Sequence, residues 1–251
     1  MNRGAPERLA ITLEIMQQGR RRRIRKFVAV ALSVAAAAAL WLGLLPQRFS
    51  PFAPLELDRP ESWFLDFRIA ALNNDGRDCD AAIAQPLLDA TRIADHPIEN
   101  GCGWHNAVRL RDAGGVRLSS EKITCGMSAA LAMWLAHEVR PAAQAILKSD
   151  VRSIRHLGVY ACRNILGSPT FKGFRSQHAT ANAIDIEGFV LADGRTINIL
   201  KHWKGDGAEA RFLRDIHNRA CRYFRVALGP DYNEAHANHF HFDRGAFKRC
   251  R

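Results

Sequence analysis

Nineteen residues without a charge, Phe27 to Leu45, follow directly on a basic cluster of Arg20 to Arg23, Arg25 and Lys26. At about 1.5 Å rise per residue, a helix of that length nearly matches a hydrocarbon core of roughly 30 Å. The run is mostly Ala, Val and Leu, so such a helix has no polar face to offer water. The pattern reads as a transmembrane anchor over 27–45 behind a basic cytoplasmic tail over 1–26. Positive charge on its N-terminal side keeps the tail in the cytoplasm and sends the remainder outwards. A cleaved signal sequence fits less well, because the run exceeds a usual apolar region and Leu45-Pro46-Gln47 is a poor small-residue cleavage site. A buried core helix would need partners on every side of the run.

The anchor changes how the charge is read. The chain carries a formal +11, of which residues 1–26 supply +6, leaving +5 for the rest. Much of the basicity is therefore topological, and a nucleic-acid partner loses most of its support. All six cysteines (79, 102, 125, 162, 221 and 250) lie beyond the apolar run. An even count on the exported side predicts up to three disulfides, with the pairing left open. No pair has the two-residue spacing of a thiolate zinc site.

Residues 46–65 contain Pro46, Pro51, Pro54 and Pro60 and read as a short, stiff linker. Residues 66–251 show no second linker, repeat or low-complexity run, and suffice for one domain. After Cys125 a helix is expected, capped by Ser128 and ended or kinked by Pro141, with Leu131, Trp134, Leu135 and Val139 at helical spacing. Residues 151–162 read as strand. Residues 184–191 and 196–200 flank Asp193-Gly194, a hairpin turn signal. Residues 208–224 read as a helix with Phe212, Leu213, Ile216 and Ala220 on one side, and 226–228 and 238–243 as further strands. Mixed order without a repeating strand–helix–strand unit argues for α+β.

Chemistry concentrates in two stretches. In the first, Ser176-Gln177-His178 is followed after six residues by Asp185, which stands between Ile184 and Ile186. A carboxylate in so apolar a strand is costly unless paired, for example with Arg163, or bound to metal. In the second, His236-Ala237-Asn238-His239-Phe240-His241-Phe242-Asp243, a strand of period two puts His239, His241 and Asp243 on one face and both rings on the other. Two histidines and one aspartate can make a three-ligand zinc site with an open fourth position.

This combination resembles the LAS-type zinc peptidases, which include the D-Ala-D-Ala peptidases and the penicillin-insensitive murein endopeptidases. The longer context is similar to the extensin-like C-terminal domain family, a related bacterial group. Arg155 to Arg163, Ser176 to Phe189, Trp203 to Gly207 and Leu228 to Asp243 carry the likeness, which covers roughly residues 75–251. The resemblance implies a small antiparallel sheet carrying the site between flanking helices, the LAS or Hedgehog-type zinc-peptidase fold. It implies Zn²⁺ held by His178, Asp185 and His241, with His239 beside the metal and His236 as general base. Glu234 is an alternative base, although it stands two residues too early for the dipeptidase glutamate. Arg163 and His239 are the candidates for stabilising an oxyanion, and Ser176, Asn182 and Asp243 for supporting the ligands. The implied activity is zinc-dependent hydrolysis of peptidoglycan peptide bonds in the periplasm, from an anchor in the inner membrane. The alternative is a non-catalytic cell-wall-binding or scaffold domain that keeps the fold.

Overall fold

The computed structural model describes residues 5–44, 46, 49–61, 63–167 and 170–251. Leu45 and Gln47, at the expected end of the anchor, lie outside the described residues, as do residues 1–4 of the tail and Arg48 and Ser62 of the linker. The chain divides into two units, Met1–Ser50 and Pro51–Arg251.

The first unit is one helix, α1 (Ala5–Trp41). It is long and apolar enough to cross a membrane. It stops earlier than the uncharged run does. Gly43 takes a left-handed φ of 66°, and the Leu44 and Gly43 amides donate to Ala39 O (2.9 Å) and Leu40 O (3.2 Å). That crossed pair is a Schellman ending, for which glycine is the favoured residue. The uncharged helical stretch 27–41 is then about 22 Å long, and a full span draws on the long stems of Arg25 and Lys26 to reach the interface.

The second unit is α+β and its sheet is not small. Nine strands form it: β1 (Leu88–Arg92), β4 (Ala107–Ala113), β5 (Val116–Thr124), β6 (Val151–Gly158), β7 (Ala183–Leu191), β8 (Thr196–Asn198), β9 (Val226–Leu228), β10 (Phe240–Asp243) and β11 (Arg249–Cys250). Their order is β1-β4-β5-β6-β7-β10-β9-β11, with β8 paired to β7. The β5–β6 and β9–β11 pairs are parallel, so the sheet is mixed. A separate hairpin joins β2 (His96–Glu99) to β3 (Cys102–Trp104). The expected turn at Asp193-Gly194 connects β7 to β8, with Gly194 at φ 91°.

Short helices α2 (Leu65–Ala71) and α3 (Gly76–Ile83) precede the sheet, and α6 (Ile199–His202) and α7 (Ala208–Ala220) follow β8. The core is organised by α4 (Cys125–Trp134), every residue of which is buried. A helix apolar all round is a core helix. Trp134 stands edge-on to Phe224 and Phe242, with centroids 5.9 and 5.1 Å away, and its Nε1 donates to Ile216 O at 3.0 Å. Phe212, Leu213, Ile216 and Ala220 of α7 close the core as their spacing predicts.

Three local expectations are corrected. Thr124, not Ser128, caps α4 by accepting from the Met127 amide, while the Ser128 hydroxyl donates to Cys125 O inside the helix. Pro141 does not end the helix. A π-helical stretch (Leu135–Val139), α5 (Arg140–Ala142) and a second π-helical stretch (Ala143–Leu147) carry it on, and widened turns on both sides relieve the proline's missing donor and bulk. The linker is shorter than 46–65: Leu55 and Leu57 are buried in the core, and Gln85 bonds both their backbones. The leucine side chains, not the prolines, decide where the folded part begins.

All six cysteines are paired: Cys79–Cys125, Cys102–Cys162 and Cys221–Cys250. The second bond ties β3 to the segment that carries Arg163.

Candidate metal centre

Strand pairing brings the two motifs together. In the antiparallel β7–β10 ladder His241 lies directly opposite Asp185, so both side chains share one face. Phe240 and Phe242, opposite Ile186 and Ile184, take the other face and are fully buried. The alternation of the sequence is therefore the alternation of the sheet. His178 arrives from the 3₁₀ turn Gln177–Thr180 that leads into β7. Ser176 caps this turn by accepting from the His178 amide, and Ala181, at φ 54°, ends it.

Three ligand atoms converge. His178 Nε2 lies 3.1 Å from Asp185 Oδ1 and 3.2 Å from His241 Nδ1. Asp185 Oδ1 and His241 Nδ1 are 2.8 Å apart. Ligands about 2.0–2.1 Å from a tetrahedral zinc would stand about 3.3 Å apart, close to this triangle.

The outer atoms fix what the inner ones offer. His178 Nδ1 is 2.7 Å from Val159 O, which can only accept, so the proton sits on Nδ1 and Nε2 presents a lone pair. His241 Nε2 donates to Asp243 Oδ2 at 3.1 Å, and Asp243 is held in turn by the Gly245 amide at 2.8 Å. His241 Nδ1 is then a second lone pair, and the Asp185 carboxylate supplies a third. A carboxylate or carbonyl behind each ligating imidazole is the usual support of a zinc histidine. A single proton can bridge only one of the three inner contacts, whereas a divalent cation satisfies all of them. The donor set thus fits zinc.

The electrostatics agree. Burial alone would lower His241, but Asp185 and Asp243 outweigh it and raise the imidazole to about 9. Burial would raise Asp185, yet the close imidazoles of His178 and His241 hold its carboxyl far below the usual range. The site attracts positive charge at its centre.

The remaining expected residues stand around the same three. Arg163 Nη2 lies 3.7 Å from Asp185 Oδ2, so this arginine is both an ion-pair partner and a cation at the rim. His239 Nε2 is 3.5 Å from Asp185 Oδ1, and its Nδ1 lies 2.8 Å from Asn238 Oδ1. His236, on the 3₁₀ turn Glu234–His236, has its ring 5.2 Å from that of His239 and 5.8 Å from that of His241. Its Nδ1 donates to Asn233 Oδ1 at 2.6 Å, leaving Nε2 to accept. Burial, with His241 and His239 nearby, lowers His236 to about 4, and burial also lowers His239. Glu234 is exposed on the same turn. Asn182 accepts from Thr124 Oγ1 and donates to Gln177 Oε1, which fixes the loop around His178. The Val159 carbonyl went unforeseen in the sequence, since a backbone acceptor leaves no mark in residue type.

A family model described as the extensin-like protein C-terminus matches residues 77–251, well over half the chain. No curated protein and no solved structure matches it.

Proposed function

The chain belongs to the extensin-like protein C-terminus family, and from that premise we propose that it is a membrane-anchored zinc peptidase of the bacterial cell wall. Its substrate would be a peptidoglycan peptide, at a D-Ala-containing stem or crosslink bond. The convergence of ligand atoms from His178, Asp185 and His241 carries this reading, because one divalent cation satisfies all three at once. Those three residues would hold the metal. A zinc ion bound there supplies an acidified water and a Lewis acid for the peptide carbonyl.

The protein's own groups do the rest. His236 accepts a proton at Nε2 from the attacking water and returns it to the departing amine, with Asn233 fixing the ring. Arg163 supplies the positive charge that the carbonyl oxygen needs as it becomes negative, and His239 donates to the same oxygen in the tautomer that carries its proton on Nε2. Glu234 is a poorer base, since it is exposed and forms no contact with the cavity groups. Localisation in the inner membrane with the second unit in the periplasm accords with α1, its basic N-terminal side and three disulfides.

The test uses the purified full chain in detergent. Metal analysis should find about one zinc per chain, and digestion of crosslinked muropeptides should release new amines, with the bond identified by mass. Zinc without cleavage of any muropeptide would favour a wall-binding domain instead. A wild-type chain that takes up no zinc refutes the peptidase.

A further inference from the structure

All exposed phenylalanine and tryptophan side chains described in the second unit fall in three short segments. Phe52, Trp63, Phe64 and Phe67 lie at its start. Phe171 and Phe174 lie in the loop after β6, and Phe247 lies just after β10. These segments meet. Phe52 packs edge-on to Phe67 at 6.3 Å, and Phe171 contacts both Phe174 (6.1 Å) and Phe247 (5.7 Å). Arg225 joins the two groups: it pairs with Asp66 at 3.6 Å, beside Phe67, and donates to Ala246 O at 3.1 Å, beside Phe247. Phe171, Phe174 and Phe247 thus form one band of exposed aromatic rings, to which Arg225 links the Phe52–Phe67 pair only through Asp66 and Ala246 O.

This band has a one-signed fringe, whereas residues 52–67 carry Glu56, Asp58, Glu61 and Asp66 against Arg59. Residues 163–175 and 244–251 contain Arg163, Lys172, Arg175, Lys248, Arg249 and Arg251, and no aspartate or glutamate. Asp66, the acid at the junction, is committed to Arg225 and to Arg244 at 2.6 Å. Apolar rings beside a basic fringe match the two layers of an anionic bilayer surface, with acyl chains below and phosphates above. A twofold contact with another copy would set basic fringe against basic fringe. A soluble polyanion would leave the rings in water. The tether favours the same partner: residues 42–54, between the end of α1 and the first core side chain Leu55, reach at most about 45 Å.

We propose that this band is a second membrane contact, which seats the C-terminal unit on a bilayer rich in anionic phospholipid. The inference rests on the reading of α1 as a membrane anchor.

The experiment reconstitutes the full wild-type chain into phosphatidylcholine vesicles with a minority of phosphatidylglycerol and a lipid bearing a photoreactive acyl chain. Adducts are mapped by peptide mass. Adducts within α1 and also at residues 171–174 or 247 support the proposal. In vesicles of phosphatidylcholine alone, or with Lys172→Glu, Lys248→Glu and Arg251→Glu combined, band adducts should fall at least about tenfold while α1 adducts persist. Adducts confined to α1 overturn the inference and leave the anchor standing. Adducts in the band but not in α1 overturn the anchor and, with it, a second contact. Dimers joined through Phe171 or Phe247, without lipid adducts there, overturn it in favour of a second copy.

Discussion

The six side chains at the candidate centre fall into two groups that the fold treats differently. His178, Asp185 and His241 stand on a capped turn and two paired strands, and their ligand atoms lie within 3.2 Å of one another. The outward nitrogen of each of these histidines is committed to an acceptor. Arg163, His236 and His239 come from loops, are half-buried, and approach Asp185 only at 3.5 Å or more where they approach it at all. On the proposed reading the first group holds a metal and the second meets a substrate that brings its own atoms. Rigidity lies where a metal needs it, and slack where chemistry needs room.

Substitutions should break this division in order of size. Asp185→Ala and His241→Ala should abolish zinc binding and with it all hydrolysis, read by metal analysis and muropeptide digestion. If either variant keeps full zinc occupancy, the inner group is misassigned. His236→Ala should keep its zinc and lose about 10²–10⁴-fold in turnover. Equal loss of metal and activity in that variant would merge the two groups into one. Asp243→Asn should weaken zinc affinity by about 10–100-fold without emptying the site at saturating metal, measured by competition with a chelator. An unchanged affinity would show that the carboxylate behind His241 does not support it.

A histidine outside both groups shows what burial alone does. His217 packs against Phe240 and Trp203, with its Nε2 lacking a partner, and burial lowers it to about 4. The unfolded chain takes up this proton near pH 6.5, the folded chain not until about 4. Stability from a neutral His217 is therefore complete above pH 6.5 and drains away as pH falls towards 4, by up to about 3 kcal/mol. Denaturant midpoints of His217→Leu should fall less over that window than those of wild type, with zinc content unchanged at neutral pH. Parallel slopes for the two proteins would count against the assignment.

The site was largely legible because its two halves are local. Alternation in residues 239–243 fixed which side chains share a face, and the spacing of His178 and Asp185 reflects one turn running into a strand. Their convergence was not readable from periodicity, since β7 and β10 pair across more than 50 residues and register is set by the whole sheet. It came instead from the resemblance. Strands β1 to β5 were not anticipated, although Val108-Arg109-Leu110-Arg111 and Val116-Arg117-Leu118 alternate plainly and the even positions 108, 110, 116 and 118 are all buried. Pro141 misled for a different reason: π-helical turns on both sides accommodate a proline that the helix leaves exposed.

Disulfide topology carries a consequence for how this molecule matures. Cys79 pairs with Cys125 and Cys102 with Cys162, so the two loops interlace. If the second unit is exported as proposed, residues emerge in order from the anchor onwards, and oxidation on emergence would join Cys79 to Cys102 before Cys125 arrived. Reaching the final linkage from there requires thiol–disulfide shuffling, which takes seconds to hours without help. Biogenesis should therefore depend on an isomerase as well as an oxidant, and cells lacking isomerase activity should accumulate chains linked in order of emergence.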